Sequence, residues 1–393
     1  MIAISFATEF RRRWLTRPAL LALALVLIAG QSPAATELQV NLPALPSLPP
    51  ATTVGARGLP HQAKLTRALR DERLTEARKL AQTSLQLTRE AFGPEHPKTA
   101  AAQANLGIVK QAMGDHVQAV ATLKKAIGDL EEAGDRHDPR LQAPWYALGL
   151  AYLHSGQAHG AIEAMGSALH LRRINAGLFA SGQDKVLDAL ARAHHLMGAT
   201  PIADEYQLRR LQLIERSAGI VDPAFDEAIT ALAQWFAFTN RPGDERRVYA
   251  YAVERLGRVM DTKHPRFIAP LLGAARSFRQ SPQADVSAKI DLPAYDIFPD
   301  QALRHAKRIV EQHPEASLAQ KVAVMEESGN FAFTNGRRGS AAQMWANAIA
   351  LLPADSAQAQ RIASPELLSF RPPKLSNDDA AATHSIFVLA EFT

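Results

Sequence analysis

The most informative absence in this sequence is cysteine, of which there is none among 393 residues. Without cysteine the chain has no disulfide framework, no cysteine-ligated zinc or iron–sulfur site and no cysteine nucleophile. It also lacks the cysteine to which a lipoprotein anchor is attached. Aromatic residues are scarce, at 6%, which favours a helical array over a β-sandwich built from aromatic and β-branched residues.

Motifs for catalysis and metal binding are also missing. There is no glycine-rich phosphate loop, no Gly-x-Ser-x-Gly elbow, no Ser-x-x-Lys set, no His-Glu-x-x-His pair and no acidic calcium loop. The adjacent His194 and His195 point about 100° apart on a helix and do not easily ligate one ion together. We therefore expect no enzyme activity, no cofactor and no metal site.

Charge is nearly balanced once the N-terminus is set aside. The formal net charge is +5, but four arginines between residues 11 and 17 precede an apolar run at 19–29 and small residues at 32–35. This order is typical of a secretory signal peptide. Without residues 1–35 the chain keeps 40 basic and 38 acidic residues. No long basic run remains, so we expect no nucleic-acid partner.

The alternative to a cleaved signal is an uncleaved N-terminal anchor, and only then would the chain contact a membrane. The apolar run itself is shorter than the ~20 residues that cross a bilayer. Residues 36–60 follow with five prolines and almost no charge, which predicts an extended, semi-rigid linker. This linker is either a spacer or a disordered mature N-terminus.

A repeat with a period of 42 residues fills the middle of the chain. Its leucines are each followed by Gly or Ala, and stand at Leu106, Leu148, Leu190 and Leu232. Turn residues come eight positions later, at Gly114, Gly156, Gly198 and Asn240. Gly and Asn tolerate the left-handed conformation that ends a helix. Equivalent positions of successive repeats form a column. One column carries small side chains, at Ala119, Ala161 and Ala203, and another carries larger ones, at Leu123 and Met165.

Prolines recur in the same phase and mark helix starts. Each follows His or Asp, in the pairs His96-Pro97, Asp138-Pro139, Asp222-Pro223 and His264-Pro265. Asp is a good N-cap, and proline suits the first helical position. Each unit is therefore predicted to be helix, turn, helix. The chain departs from its own small and apolar columns at Gln207, Arg210 and Glu245.

These columns resemble the tetratricopeptide repeat (TPR), in the long form found in kinesin light chains and many bacterial proteins. The match is carried by Trp145, Leu148, Gly149, Tyr152, Gly156, Ala161 and Ala168, and it covers roughly 61–280. A further unit fits at Gly329, Ala332, Gly336, Ala341, Trp345, Ala348 and Pro353. The resemblance implies an all-α helix-turn-helix solenoid, wound as a right-handed superhelix.

The resemblance also implies a partner and a place where it binds. TPR arrays typically bind proteins or peptides in a concave groove lined by the first helix of each unit. The first-helix positions that alternate with the packing columns are Asn105, Gln111, Tyr146, His154, Asp188, Arg192, His195, Gln234 and Phe238. This mixed polar and aromatic set suits a protein partner, although each position alone is also compatible with an ordinary solvated helix face.

The C-terminal third is less regular. Residues 281–300 carry three prolines without a helical pattern, which predicts an irregular connection, and 301–353 are predicted to form further TPR-like helices. The tail at 354–393 ends in one strand candidate at 386–393. From residue 365 the tail resembles the opening of a TonB-type C-terminal domain, which would make the chain a truncated form. The alternative is a strand that packs on the final helices or joins the sheet of a partner.

Together these features predict an exported, non-enzymatic TPR scaffold of the bacterial periplasm. The alternative is a truncated or atypical TonB-like energy-transducer component, anchored in the inner membrane and facing the periplasm.

Overall fold

The computed structural model describes residues 59–134, 136–180, 182–282, 292, 297–353 and 356–363. The predicted signal peptide, nearly all of the linker, much of the irregular connection and the tail strand lie outside these residues. Within them, all regular structure is helical. None of the helices in the described ranges is long and apolar enough to span a membrane.

The described residues form fifteen helices. They are α1 (Leu59–Arg70), α2 (Leu74–Phe92), α3 (Pro97–Ala112), α4 (His116–Glu132), α5 (Gln142–His154), α6 (Ala158–Ala176), α7 (Gln183–Leu196), α8 (Thr200–Ser217), α9 (Pro223–Phe238), α10 (Pro242–Gly257), α11 (Ile268–Gln280), α12 (Pro299–Gln312), α13 (Leu318–Thr334), α14 (Arg338–Ala350) and α15 (Ala357–Ala363). Single 3₁₀ turns at Pro139–Leu141 and Pro265–Phe267 lead into α5 and α11, and residues 281–298 separate α11 from α12.

The helices pack in pairs, and the pairs stack along the chain. The four units of strict period form the pairs α3–α4, α5–α6, α7–α8 and α9–α10, and each pair also contacts the next. The apolar core runs through the stack as successive clusters, with the largest extending from α7 to α13. The predicted all-α helix-turn-helix solenoid is confirmed for the described residues.

The turn column adopts the backbone conformation that its residue types predict. Gly114, Gly156 and Gly198 have φ of 82°, 71° and 76°, and Asn240 has φ of 55°. One further member of this column was not predicted, because Glu72 lies 42 residues before Gly114 and has φ of 54°. Glutamate rarely adopts this conformation, so its residue type gives no signal of the turn.

The helix starts are confirmed as well, and histidine serves as an N-cap beside aspartate. The side chain of Asp222 accepts a hydrogen bond from the Ala224 backbone N–H at 2.8 Å. The Nδ1 atom of His96 accepts one from Lys98 at 3.1 Å. Asp138 and His264 cap the two 3₁₀ turns in the same way. Such caps satisfy backbone donors that a helix N-terminus leaves open.

The small and large columns fit into each other inside each pair. A Cβ atom placed on Gly107 would lie 2.6 Å from Leu123, and one on Gly149 would lie 2.8 Å from Met165. Ala119 and Ala161 are fully buried. The paired helices are therefore too close for larger side chains at these positions, and this closeness fixes how each first helix presents its remaining face.

Candidate functional site

The predicted groove positions lie on the first helices α3, α5, α7 and α9, but they differ in exposure. Asn105 and Gln111 on α3 are buried, with 1% and 0% of their surface exposed. Both side chains are inside the packed helices rather than on an open face. The accessible part of the predicted set therefore begins at α5.

His154, at the end of α5, packs against a histidine from the preceding pair. Its ring stacks on that of His116 with 4.7 Å between centroids and 7° between planes. The His154 Nδ1 atom lies 2.7 Å from the Leu150 carbonyl oxygen, which places a proton on that nitrogen. Burial, with a contribution from His154 and against that of Asp115, lowers the pKa of His116.

Asp188 on α7 is the centre of a polar network. Its carboxylate accepts a hydrogen bond from Arg192 Nε at 2.8 Å, from Gln207 Nε2 at 2.8 Å and from Arg210 Nη1 at 3.2 Å. Burial by itself would raise the pKa of Asp188, but the two arginines and the amide outweigh it and the pKa is lowered. Asp188 is therefore held as a carboxylate.

The network explains two departures from the repeat. Gln207 and Arg210 lie on α8 in columns where the other pairs carry mostly apolar or small residues, and both bind Asp188 across the pair. Burial, and then the charge of Asp188, raise the pKa of Tyr146 on α5. Arg192 keeps 41% of its side chain exposed, so one cation of the network faces solvent.

An aromatic cluster lies next to this network on the same surface. The His195 ring meets Trp235 and Phe238 edge-on, with centroid distances of 5.3 and 5.4 Å. Trp235 is 7% exposed, whereas Phe238 is 49% exposed. Because Arg192 and His195 are three residues apart on α7, they share one helix face. The cluster and the network are therefore continuous.

A second buried network holds the aromatic cluster in place. Trp235 Nε1 donates a hydrogen bond to Asp204 at 2.8 Å. The guanidinium of Arg241 pairs with Asp204 and also with Asp244, which its Nε reaches at 2.6 Å. These bonds outweigh the desolvation of Arg241 and raise its pKa. The floor beneath Phe238 is thus fixed by charged hydrogen bonds.

We call the accessible part of this surface the first-helix strip, which comprises Tyr146, Asp188, Arg192, His195, Gln234 and Phe238. Gln234, on α9, is half-buried and lies one helical turn before Phe238. The structure brings Asp188 to Arg192 and His195 to Phe238, whereas His154 stacks on His116. That the strip binds a partner stays a prediction.

Sequence reasoning missed Trp235, Gln207 and Arg210 as the side chains that support this surface from beneath. Trp235 has no counterpart in the repeat pattern, so its position gave no signal. Gln207 and Arg210 were visible as departures, but the pattern does not show which side chain each one meets. A polar residue in an apolar column is therefore a usable pointer to a buried network.

Groups for metal chemistry are not assembled in the part of the chain that the structure describes. No three His, Asp or Glu side chains come together there as an ion-binding group. Within the first-helix strip, Asp188 instead accepts a hydrogen bond from Arg192.

Comparison with known proteins supports the repeat assignment. Residues 68–132, from the end of α1 to the end of α4, match the tetratricopeptide repeat family. No curated protein sequence matches the chain. The TPR solenoid fold is typical of protein–protein interaction scaffolds, and the family is generally non-catalytic.

Solved structures with similar helix arrangements include a kinesin light chain-type protein of Podosopora anserina with nearly identical TPR-like repeats. It is 17% identical with a TM-score of 0.40, over 55% of this chain and 96% of that one. BtubC (BKLC) of P. vanneervenii is 16% identical with a TM-score of 0.36, over 77% and 96%. The apo quorum sensor NprR of B. thuringiensis is 11% identical with a TM-score of 0.39, over 77% and 90%.

Proposed function

We propose that the chain is an exported scaffold that binds a protein or peptide across the first-helix strip. The observation that carries the proposal is a half-exposed aromatic ring, Phe238, that contacts His195 on the helix face carrying the solvent-facing guanidinium of Arg192. Aromatic and arginine side chains are the residues that most often anchor interfaces. Both are held by buried partners, so little ordering is needed when a ligand binds.

The chemistry of the strip favours a segment with an apolar side chain and an acceptor group. Phe238 and His195 offer ring faces and edges to an apolar group. Arg192 has donors beyond the one that it gives to Asp188, since a guanidinium carries five N–H bonds. A carboxylate or backbone carbonyl of the partner fits there. In this proposal the scaffold positions its partner and carries out no chemical reaction itself.

The proposed location is the periplasm, and it rests on the sequence of residues 1–35 alone. Arginines, an apolar run and small residues follow in the order of a signal peptide. Fractionation tests this directly. A mature N-terminus near Ala35 or Thr36 in periplasmic extract supports export with cleavage, and recovery only with inner membranes supports the anchored alternative.

Site-specific photocrosslinking tests the binding surface. We expect a benzoylphenylalanine placed at position 238 to crosslink a discrete partner in cells. The same group at position 87 is the matched control, because Leu87 on α2 is 42% exposed, close to the 49% of Phe238, but lies on a second helix. The adduct at 238 should weaken when Arg192 is changed to Gln in the same chain.

Two outcomes would contradict the proposal. Equal crosslinking at positions 87 and 238 would mean that the array contacts proteins without using the strip. If Arg192→Gln leaves the adduct at position 238 unchanged, the charged network is not part of the binding surface. Thermal unfolding of each variant shows whether the fold is intact.

A further inference from the structure

A cavity outside the first-helix strip has a lining that the groove hypothesis does not use. It has a volume of about 130 Å³ and lies between the end of α6, the loop into α7 and the outer face of α8. Its floor is apolar, with Leu187 and Leu213. Leu178 and Phe179 in the loop form a wall and are 64% and 46% exposed.

The charges around this cavity are all of one sign. Arg173, Arg209 and Arg216 line it, and no carboxylate stands among the described residues of its lining. Arg209 is paired with Glu205 at 2.6 Å, outside the cavity. Arg216 lies over the Phe179 ring, with its guanidinium carbon 5.4 Å from the centroid. The cavity therefore joins an apolar floor to a cationic rim.

The rim is held in place by a buried side chain. Gln183 is 1% exposed, accepts a hydrogen bond from Arg173 Nε at 3.2 Å and donates one to the Gly177 carbonyl at 3.0 Å. This pair of bonds ties the arginine at the end of α6 to the start of α7. The Arg173 guanidinium is thus positioned before any ligand arrives, which lowers the entropy cost of binding.

The loop that builds the cavity wall is the one that breaks the proline pattern. The other loops between the units of strict period end in a His-Pro or Asp-Pro pair, but Ala180-Ser181 stands at this phase, and the following Gly182 has φ of 80°. The 3₁₀ start seen before α5 and α11 is replaced by a glycine entry into α7. The same loop carries the exposed Leu178 and Phe179.

We propose that this cavity is a second docking site, for an acidic peptide segment that inserts one large apolar side chain between Leu187, Leu213 and Phe179. Its volume is close to that of the engineered protein cavity of about 150 Å³ that accommodates benzene, so it admits a single ring or branched side chain. The flanking carboxylates of the segment pair with Arg173 and Arg216. A neighbouring cavity of about 270 Å³ shares Gln212 and Arg216 with the first. Its two carboxylates, Glu215 and Glu254, are already paired with Arg255 and Arg258, which leaves the segment room to continue along α8.

A peptide fits better than a membrane surface because the apolar floor of the cavity, Leu187 and Leu213, is buried in a recess. The Phe179 ring lies under the Arg216 guanidinium and forms a wall of the cavity. Membrane-binding surfaces instead project apolar side chains into the headgroup boundary. Anionic vesicles are therefore a competing ligand in the test.

Fluorescence anisotropy of a labelled peptide, Gly-Asp-Glu-Phe-Glu-Asp-Gly, with the full chain tests the site. We expect Arg173→Gln combined with Arg216→Gln to weaken binding about tenfold. The matched control is Arg78→Gln with Arg89→Gln, two exposed arginines of α2, which remove the same charge and should have little effect. Replacing Phe by Ala in the peptide should weaken binding by a similar factor.

Several results would overturn the proposal. Equal loss in the two double variants, or equal binding of the Phe and Ala peptides, would indicate general charge attraction. Tighter binding to phosphatidylglycerol vesicles than to the peptide would assign the site to lipid. Loss of peptide binding in Phe238→Ser would place the peptide on the first-helix strip. Retained binding in Phe238→Ser supports the second site independently of the proposed function, and thermal unfolding shows that each variant is folded.

Discussion

Glu245 gives the sharpest physical prediction of the structure. It lies on α10 in the column that Ala119, Ala161 and Ala203 occupy in other pairs, and it is only 6% exposed. The Ser277 hydroxyl donates a hydrogen bond to Glu245 Oε2 at 2.8 Å. Burial raises the pKa of Glu245 to about 7, against the opposing influence of Ser277 and nearby arginines.

Because the pKa of Glu245 is raised on folding, the stability of the folded chain must fall as the pH rises. The folded chain binds a proton at Glu245 more tightly than the unfolded chain, whose carboxyl has its ordinary pKa of 4.5. The contribution to stability is therefore complete below pH 4.5 and is lost as the pH rises through about 7. The difference between the two pKa values corresponds to about 3 kcal/mol.

The change Glu245→Gln isolates this contribution. Glutamine keeps the shape and an acceptor for Ser277 but does not titrate. We expect the free energy of unfolding of the wild type, minus that of the variant, to fall by about 3 kcal/mol between about pH 4 and about pH 8. Urea denaturation at each pH measures this, and hydrogen exchange of α10 and α11 checks it locally, because stacked repeats can unfold in parts.

The control is Glu227→Gln, at an exposed position on α9, which should leave the pH profile unchanged. A difference between wild type and Glu245→Gln that stays constant with pH would refute the reasoning. So would direct titration of the Glu245 carboxyl by NMR with a midpoint near 4.5. Either result would mean that water or rearranged arginines solvate the carboxylate inside the pair.

Two further predictions concern packing and charge. Ala161→Leu should lower the free energy of unfolding by about 1–3 kcal/mol, because Ala161 is fully buried between paired helices, whereas Ala176→Leu at the exposed end of the same helix should not. Unchanged thermal stability of Ala161→Leu would contradict the close approach of the helices. Asp188→Asn should cost about 1–3 kcal/mol at neutral pH, because Arg192 and Arg210 lose their carboxylate. That cost should shrink as the pH falls through the lowered pKa of Asp188, and denaturation at several pH values measures it.

The turns and helix starts could be predicted because their requirements are local. A left-handed residue between two helices needs Gly or Asn, and a first helical turn accepts Pro after a capping side chain. Period and residue type were then enough to place Gly156 and Asp222. The left-handed turn at Glu72 was not predicted, because glutamate is not a residue type that indicates such a turn.

The surface was harder to predict because exposure depends on neighbouring helices. The pattern placed Asn105 and Gln111 on the same face as Arg192, which follows from helix geometry alone. Asn105 and Gln111 on α3 are buried by the packing of helices against α3, and the repeat period does not predict this burial. The hydrogen bonds from Gln207 and Arg210 on α8 to Asp188 could not be predicted for the same reason, since they join different helices of the pair.

Helix α8 shows why departures from a repeat are worth following. Its Gln207 and Arg210 turn toward Asp188, while Arg209 and Arg216, seven residues apart, line the outer cavity. A helix whose only role is packing needs a single polar face, toward solvent. Burying a second polar face lowers stability unless every polar group on it has a hydrogen-bond partner. Apolar side chains in these columns would pack without that cost. The polar residues of the third pair are therefore best explained by the two surfaces that they build, and mutagenesis of binding should begin there.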